Sequence, residues 1–112
     1  MSEQTEQPFD RGHVVWHDGV FKASGRPWFV VSDDRHPFHG EEYVVAGITT
    51  TERAPAIELT ETSWAVGGLP KTSYVSPWFL TTLKHADIDR GIGLVTDETV
   101  AAVTSAVVDY VG

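Results

Sequence analysis

Short runs rich in β-branched and aromatic residues, each cut off by turn formers, fill the chain from His13 to Leu83, and this rhythm restricts the fold more than any other feature. The runs are His13–His17, Trp28–Ser32, Tyr43–Thr50, Ala56–Thr60, Ser73–Val75 and Phe79–Leu83, with loops predicted over Asp18–Pro27 and Asp33–Glu42. Proline has no N–H to give a strand ladder, so Pro77 predicts a break or a sheet edge between the last two runs.

After Val95 the period changes. Thr96 suits a helix N-cap, Asp97 and Glu98 suit the positive end of a helix dipole, and Val100, Val103, Val107 and Val111 fall three or four apart on one face. Valine is a weak helix former, so this helix must depend on docking its stripe against a sheet. Five or six short strands closed by one helix predict a mainly β fold with a C-terminal helix, a small closed or half-open barrel rather than an alternating βαβ sheet.

With 112 residues, 41% of them hydrophobic, the chain can bury one modest core. A single domain is expected over residues 12–112, after a disordered lead-in over residues 1–11 that lacks periodicity and most apolar anchors. No run has the apolar length to cross a bilayer, and the polar start MSEQTEQPFD is unlike a secretory leader, so a cytoplasmic protein with no membrane partner is expected. Cysteine is absent, which removes disulfides, thiolate zinc sites and thiol nucleophiles together and fits a reducing compartment.

Sixteen Asp plus Glu stand against eight Lys plus Arg, a formal charge of −8. That is a poor electrostatic footprint for nucleic acid at ordinary salt, and only Lys22, Lys71 and Lys84 are lysines. At molar salt the screening length falls to about 3 Å and distant carboxylates stop repelling a phosphate chain. Acid-rich, lysine-poor composition is similar to that of halophilic proteins; an acidic mesophilic protein has the same appearance.

Two stretches carry candidate chemistry. In Ser24-Gly25-Arg26-Pro27-Trp28-Phe29-Val30-Val31-Ser32-Asp33-Asp34, a flexible loop delivers an arginine to the first position of a buried strand, and Pro27 fixes the backbone directly after it. A guanidinium on such a rigid element is what an anion clamp needs, although arginines so placed are commonly solvated or paired with a carboxylate. In Val45-Ala46-Gly47-Ile48-Thr49-Thr50-Thr51-Glu52-Arg53, a hydrophobic strand ends in three hydroxyls and a second arginine. Threonines at a strand end are ordinarily just good β-formers.

Taken together, GxVVW opening a strand, SGRPxFVVSDD on the second, VxxGIT on the third and a helix opened by T-D-E resemble the MazF/PemK family of toxin endoribonucleases, over roughly residues 12–111. The resemblance implies an SH3-like barrel of the MazF/PemK/CcdB type, in a haloarchaeal-type acidic member. It also implies a homodimer, a cognate antitoxin as partner, and cleavage of single-stranded RNA with no cofactor and no metal. In the family the arginine of the RP dipeptide and the threonine closing the third strand are catalytic, which lands on Arg26 and Thr49. Ser32, Lys22, Thr50 and Arg53 become candidate substrate contacts.

Those residue types suit attack of a ribose 2′-hydroxyl on the neighbouring phosphate, where a guanidinium can hold two phosphate oxygens as charge accumulates. Thr49 would supply a hydroxyl donor; neither it nor Ser32 is activated enough for a covalent nucleophile. Guanidinium is an implausible base, which draws attention to His17, His36 and His39 as candidate acid or base, with ordinary loop histidines as the alternative. His36-x-x-His39 beside Glu41 and Glu42 lies in a loop without the helical frame of a zinc site, so no metal is expected.

Trp28, Trp64, Trp78 and Phe79 are assigned to the core or a dimer interface, with one exposed ring available to stack an unpaired base. The family tends to carry an acidic-plus-glutamine pair in the fifth strand, where this chain reads Val75-Ser76-Pro77-Trp78-Phe79-Leu80. That departure keeps open a non-catalytic binding module on the same barrel. A gyrase-poisoning toxin is a third option, which would leave Arg26 and Thr49 without work.

Overall fold

Consecutive residues of a strand point to opposite faces, so full burial of Val14 with Val15, Phe29 with Val30, and Val45 with Ala46 requires three strands covered on both sides. In the computed structural model, which describes residues 7–19 and 25–112, these are β1 (His13–His17), β2 (Arg26–Val30) and β3 (Glu42–Thr49). They sit centrally in a seven-stranded sheet of order β4-β6-β3-β2-β1-β7-β5, with β4 at Ile57–Leu59, β5 at Trp64–Gly67, β6 at Ser73–Lys84 and β7 at Arg90–Val95. Every pairing is antiparallel. The two edge strands, β4 and β5, follow one another in the chain across a single 3-10 turn at Glu61–Ser63, so the sheet curls into a nearly closed barrel.

One face of the central strands joins Val14, Phe29, Ala46 and Ile48 to Leu59, Val75, Val95 and the helix residues Val103 and Val107. That helix, α1 (Asp97–Val111), starts as expected, with the Thr96 hydroxyl accepting the Thr99 N–H at 3.3 Å. Val100, Val103 and Val107 dock on the sheet, whereas Val111 overhangs it at 66% exposure. The other face gathers Val15, Val30, Tyr43, Val45 and Leu83, with Phe9, Trp28 and Ile88 packed against them.

Three sequence expectations need correction. Pro77 does not divide two strands: β6 runs through it, because the ladder steps from Gly47↔Ser76 to Ala46↔Leu80 and leaves Pro77, Trp78 and Phe79 looped out as a wide bulge, where the missing N–H costs no ladder bond. β5 and β7 bring the strands to seven; β7 was obscured by Gly91 and Gly93. Its Gly93 is required by close approach, since a Cβ there would lie 2.4 Å from the Val66 carbonyl. The disordered lead-in over residues 1–11 falls partly outside the described residues, but Phe9 packs on the second core and gives its N–H to the Tyr43 hydroxyl at 3.0 Å, and Arg11 donates to the Val31 carbonyl. Phe9 and Arg11 thus anchor the described chain ahead of Gly12. Among the described residues no helix is long and apolar enough to cross a membrane.

Candidate functional site

Side chains directly opposite in an antiparallel pair share a face with Cβ atoms about 5 Å apart, so the register fixes who meets whom. His17 of β1 stands opposite Arg26 of β2. Trp28 stands opposite Gly47 of β3, the last paired position of these two strands, and strand alternation puts Arg26, two residues before Trp28, and Thr49, two residues after Gly47, on that same face just beyond it. His17, Arg26 and Thr49 therefore form a row across three adjacent strands at one end of the barrel, on the face that further in holds Val15, Val30 and Val45.

The bulge of β6 completes this corner. A Cβ on Gly47 would lie 2.5 Å from the Phe79 ring, so Phe79 rests on the bare backbone of β3, with its ring 5.5 Å from that of Trp28. The Arg26 guanidinium carbon lies 5.6 Å from the Trp28 ring and 5.8 Å from the Phe79 ring. Among the described residues it has no carboxylate partner and no hydrogen bond. Two aromatic faces hold the cation without consuming its in-plane N–H donors, which stay available to an anion.

Next to Phe79 opens a cleft of about 360 Å³ lined by Thr49, Thr51, Arg53, Ser76, Trp78 and Phe79. The Thr49 oxygen accepts the Thr51 N–H at 3.1 Å, which orients the hydroxyl and leaves its own hydrogen to donate elsewhere. Opposite Thr49, the Tyr74 phenol is pushed up by burial and by the nearby Glu52 and Glu58, and stays neutral. The outer wall is aromatic, with Trp78 edge-on to Tyr110 of α1 at 5.6 Å.

The remaining candidates are sorted by the same geometry. Arg53 joins the cleft, and Thr50 is an exposed neighbour of Thr49 outside its lining. Lys22 lies outside the described residues. Ser32 is at the far end of β2, roughly 20 Å along the strand from Arg26, where its hydroxyl accepts the Val44 N–H at 3.0 Å; its work is structural. His36 and His39 also lie at that far end. His36 accepts the Phe38 N–H through Nδ1, and His39 stands edge-on to Tyr43 with Nε2 3.9 Å from Asp10. Among the described residues no three His, Cys, Asp or Glu side chains converge as a metal site would need. Sequence reasoning missed Thr51 and Ser76 as cleft residues and the part Gly47 plays in seating Phe79; only the bulge brings them together.

The sequence profile of the PemK-like, MazF-like toxins of type II toxin–antitoxin systems matches residues 10–111. A comparison with curated protein sequences gives no match. Among solved structures, an endoribonuclease from a mycobacterial species superposes with a TM-score of 0.69 at 26% identity, covering 97% of this chain and 96% of that one. The Mycobacterium tuberculosis toxin MazF-mt6 gives 0.65 at 26% identity, covering 93% and 95%. A mycobacterial endoribonuclease in complex with its cognate antitoxin gives 0.76 over 95% of each chain, at 23% identity, a likeness of fold.

Proposed function

The chain belongs to the PemK-like, MazF-like toxin family of type II toxin–antitoxin systems, and from that membership we propose that it is an endoribonuclease that cuts single-stranded RNA without a metal ion and is silenced by a cognate antitoxin. The observation that carries the reading is the row of His17, Arg26 and Thr49 on one face, with the guanidinium of Arg26 free of carboxylates. The solved relatives named as an endoribonuclease and as a MazF toxin support it. A homodimer is part of the same reading, and the exposed Val108, Tyr110 and Val111 at the end of α1 suit a covered surface.

In the proposed reaction the 2′-oxygen attacks phosphorus as its proton leaves, the P–O5′ bond breaks, and the 5′-oxygen takes up a proton, giving a 2′,3′-cyclic phosphate and a 5′-hydroxyl. Arg26 holds two non-bridging oxygens while charge builds on them, and Thr49 donates to the same phosphate. His17, alone of the three candidate histidines at this end, is the imidazole placed to take or give the proton. Arg53 contacts a flanking phosphate. With a net charge of −8, the chain is read as an acidic member suited to concentrated salt.

The test is incubation with a long unstructured RNA in chelator, at low and at molar potassium chloride, with mapping of fragment ends. Discrete fragments ending in a cyclic phosphate are expected, and Arg26→Ala should abolish them while the circular dichroism spectrum is kept. Cleavage that persists in Arg26→Ala removes the site. RNA that is bound but left whole in every buffer marks the non-catalytic module instead.

A further inference from the structure

We propose that the Pro77–Phe79 bulge is a nucleobase subsite: an unpaired base next to the phosphate held by Arg26 stacks on Phe79, against the wall formed by Trp78. The inference rests on the nuclease reading and adds to it the group that recognises the substrate.

Phe79 is the natural platform. It is 45% exposed despite its size, one edge of the ring (Cδ2 and Cε2) meets Gly47 of β3, and the ring borders the cleft. Its position is built rather than accidental: three residues are looped out of β6, and the strand beneath lacks a Cβ at the one point where the ring needs to rest. The same ring is 5.8 Å from the Arg26 guanidinium carbon, a spacing that suits a base and its adjoining phosphate within one nucleotide. Trp78, braced by Tyr110, closes the side of the cleft, and the Ser76 and Thr51 hydroxyls reach it with groups that both donate and accept.

The net charge favours such a subsite. A chain carrying −8 gains little from long-range attraction to a phosphate strand, and among the described residues Arg26 lies against the Phe79 ring and Arg53 lines the cleft. Stacking on an aromatic face is indifferent to salt and tolerant of base identity, so it supplies affinity where ion pairing is scarce.

The probes are a twelve-nucleotide 2′-O-methyl strand of mixed sequence, which cannot be cut, and an abasic phosphodiester strand of the same length, titrated against the whole protein by fluorescence anisotropy. The base-bearing strand should bind about ten- to a hundredfold more tightly. Phe79→Leu, which keeps an apolar group over Gly47, should erase most of that difference, and Phe79→Tyr should retain it. Equal binding of both strands by the unaltered protein overturns the subsite, as does a Phe79→Leu loss of the same size on both. Equal loss accompanied by dissociation into monomers in light scattering would assign the ring to a second copy of the chain. Because this readout needs no cleavage, its failure is separable from failure of the nuclease reading: discrete RNA fragments with no preference for bases refute the stacking alone.

Discussion

The two ends of the central strands treat their cations in opposite ways. Beyond β2, Arg35 binds Asp33 through Nε and Nη2, the latter at 2.7 Å, and Arg11 reaches the same carboxylate at 3.3 Å. The hydrogen bonds from Arg35, with the charge of Arg11 behind them, hold the Asp33 carboxyl far below the usual carboxylate range. At the start of β2, Arg26 rests on two rings and keeps its donors. Histidines divide likewise: His39 faces Tyr43, whose burial-raised phenol bonds His85 and receives the Phe9 N–H, whereas His17 stands beside Arg26. One end uses polar groups to fasten the N-terminal segment, whereas at the other the Arg26 guanidinium rests on two rings with no ion pair among the described residues.

The largest test of that contrast is Arg26→Ala, expected to lower the cleavage rate about a thousandfold, because a charge-stabilising donor set aimed at the transition state is lost. Its thermal midpoint should stay within a degree or two, roughly what removal of an exposed, unpaired side chain does. A large drop in midpoint would mean that Arg26 holds the barrel together as Arg11 does. His17→Ala should cost about a hundredfold and flatten one limb of the pH–rate profile. His39→Ala should leave the profile's shape intact, and an unchanged profile in His17→Ala would return the proton transfers to another group. Thr49→Val should slow cleavage about ten- to a hundredfold by removing one hydrogen bond to a charged phosphate, read as a fall in kcat with little change in KM.

The smallest effect is expected at the fastened end. Asp33→Asn should lower the melting temperature slightly and leave cleavage alone, since exposed ion pairs contribute little. The sign with pH follows from the depressed folded value: the contribution of Asp33 is complete above the ordinary carboxylate pKa near 3.8 and is lost only as the pH falls on toward its lowered one. A midpoint difference between the two proteins that holds at neutrality and shrinks only in strong acid would confirm it; a difference that vanishes by pH 5 would contradict it.

Parts of the fold, but not this division of its two ends, are legible in the amino-acid order. Local signals are strong where they are short-ranged: the run His13–His17 has the bounds of β1, Thr96 caps α1, and Arg26 stands first in its strand. What stayed hidden depends on partners distant in sequence. Nothing in β2 alone tells that His17 faces Arg26 or that Ser32 is a strand length away; only the register does. Gly91 and Gly93 lower β propensity, and the reason they are there, the backbone of β5 and the ring of Phe9, lies elsewhere in the chain. Pro77 signalled an interruption correctly but not its form, since a bulge and a strand end look alike until the partner strand is known.

The seat of Phe79 on Gly47 has a consequence for how such chains can diverge. A methyl at position 47 and a ring at position 79 exclude each other at 2.5 Å, so the two sites cannot change independently. A side chain gained at the first forces the ring at the second to shift or shrink, and under the proposed subsite the stacking shelf beside Arg26 would change with it.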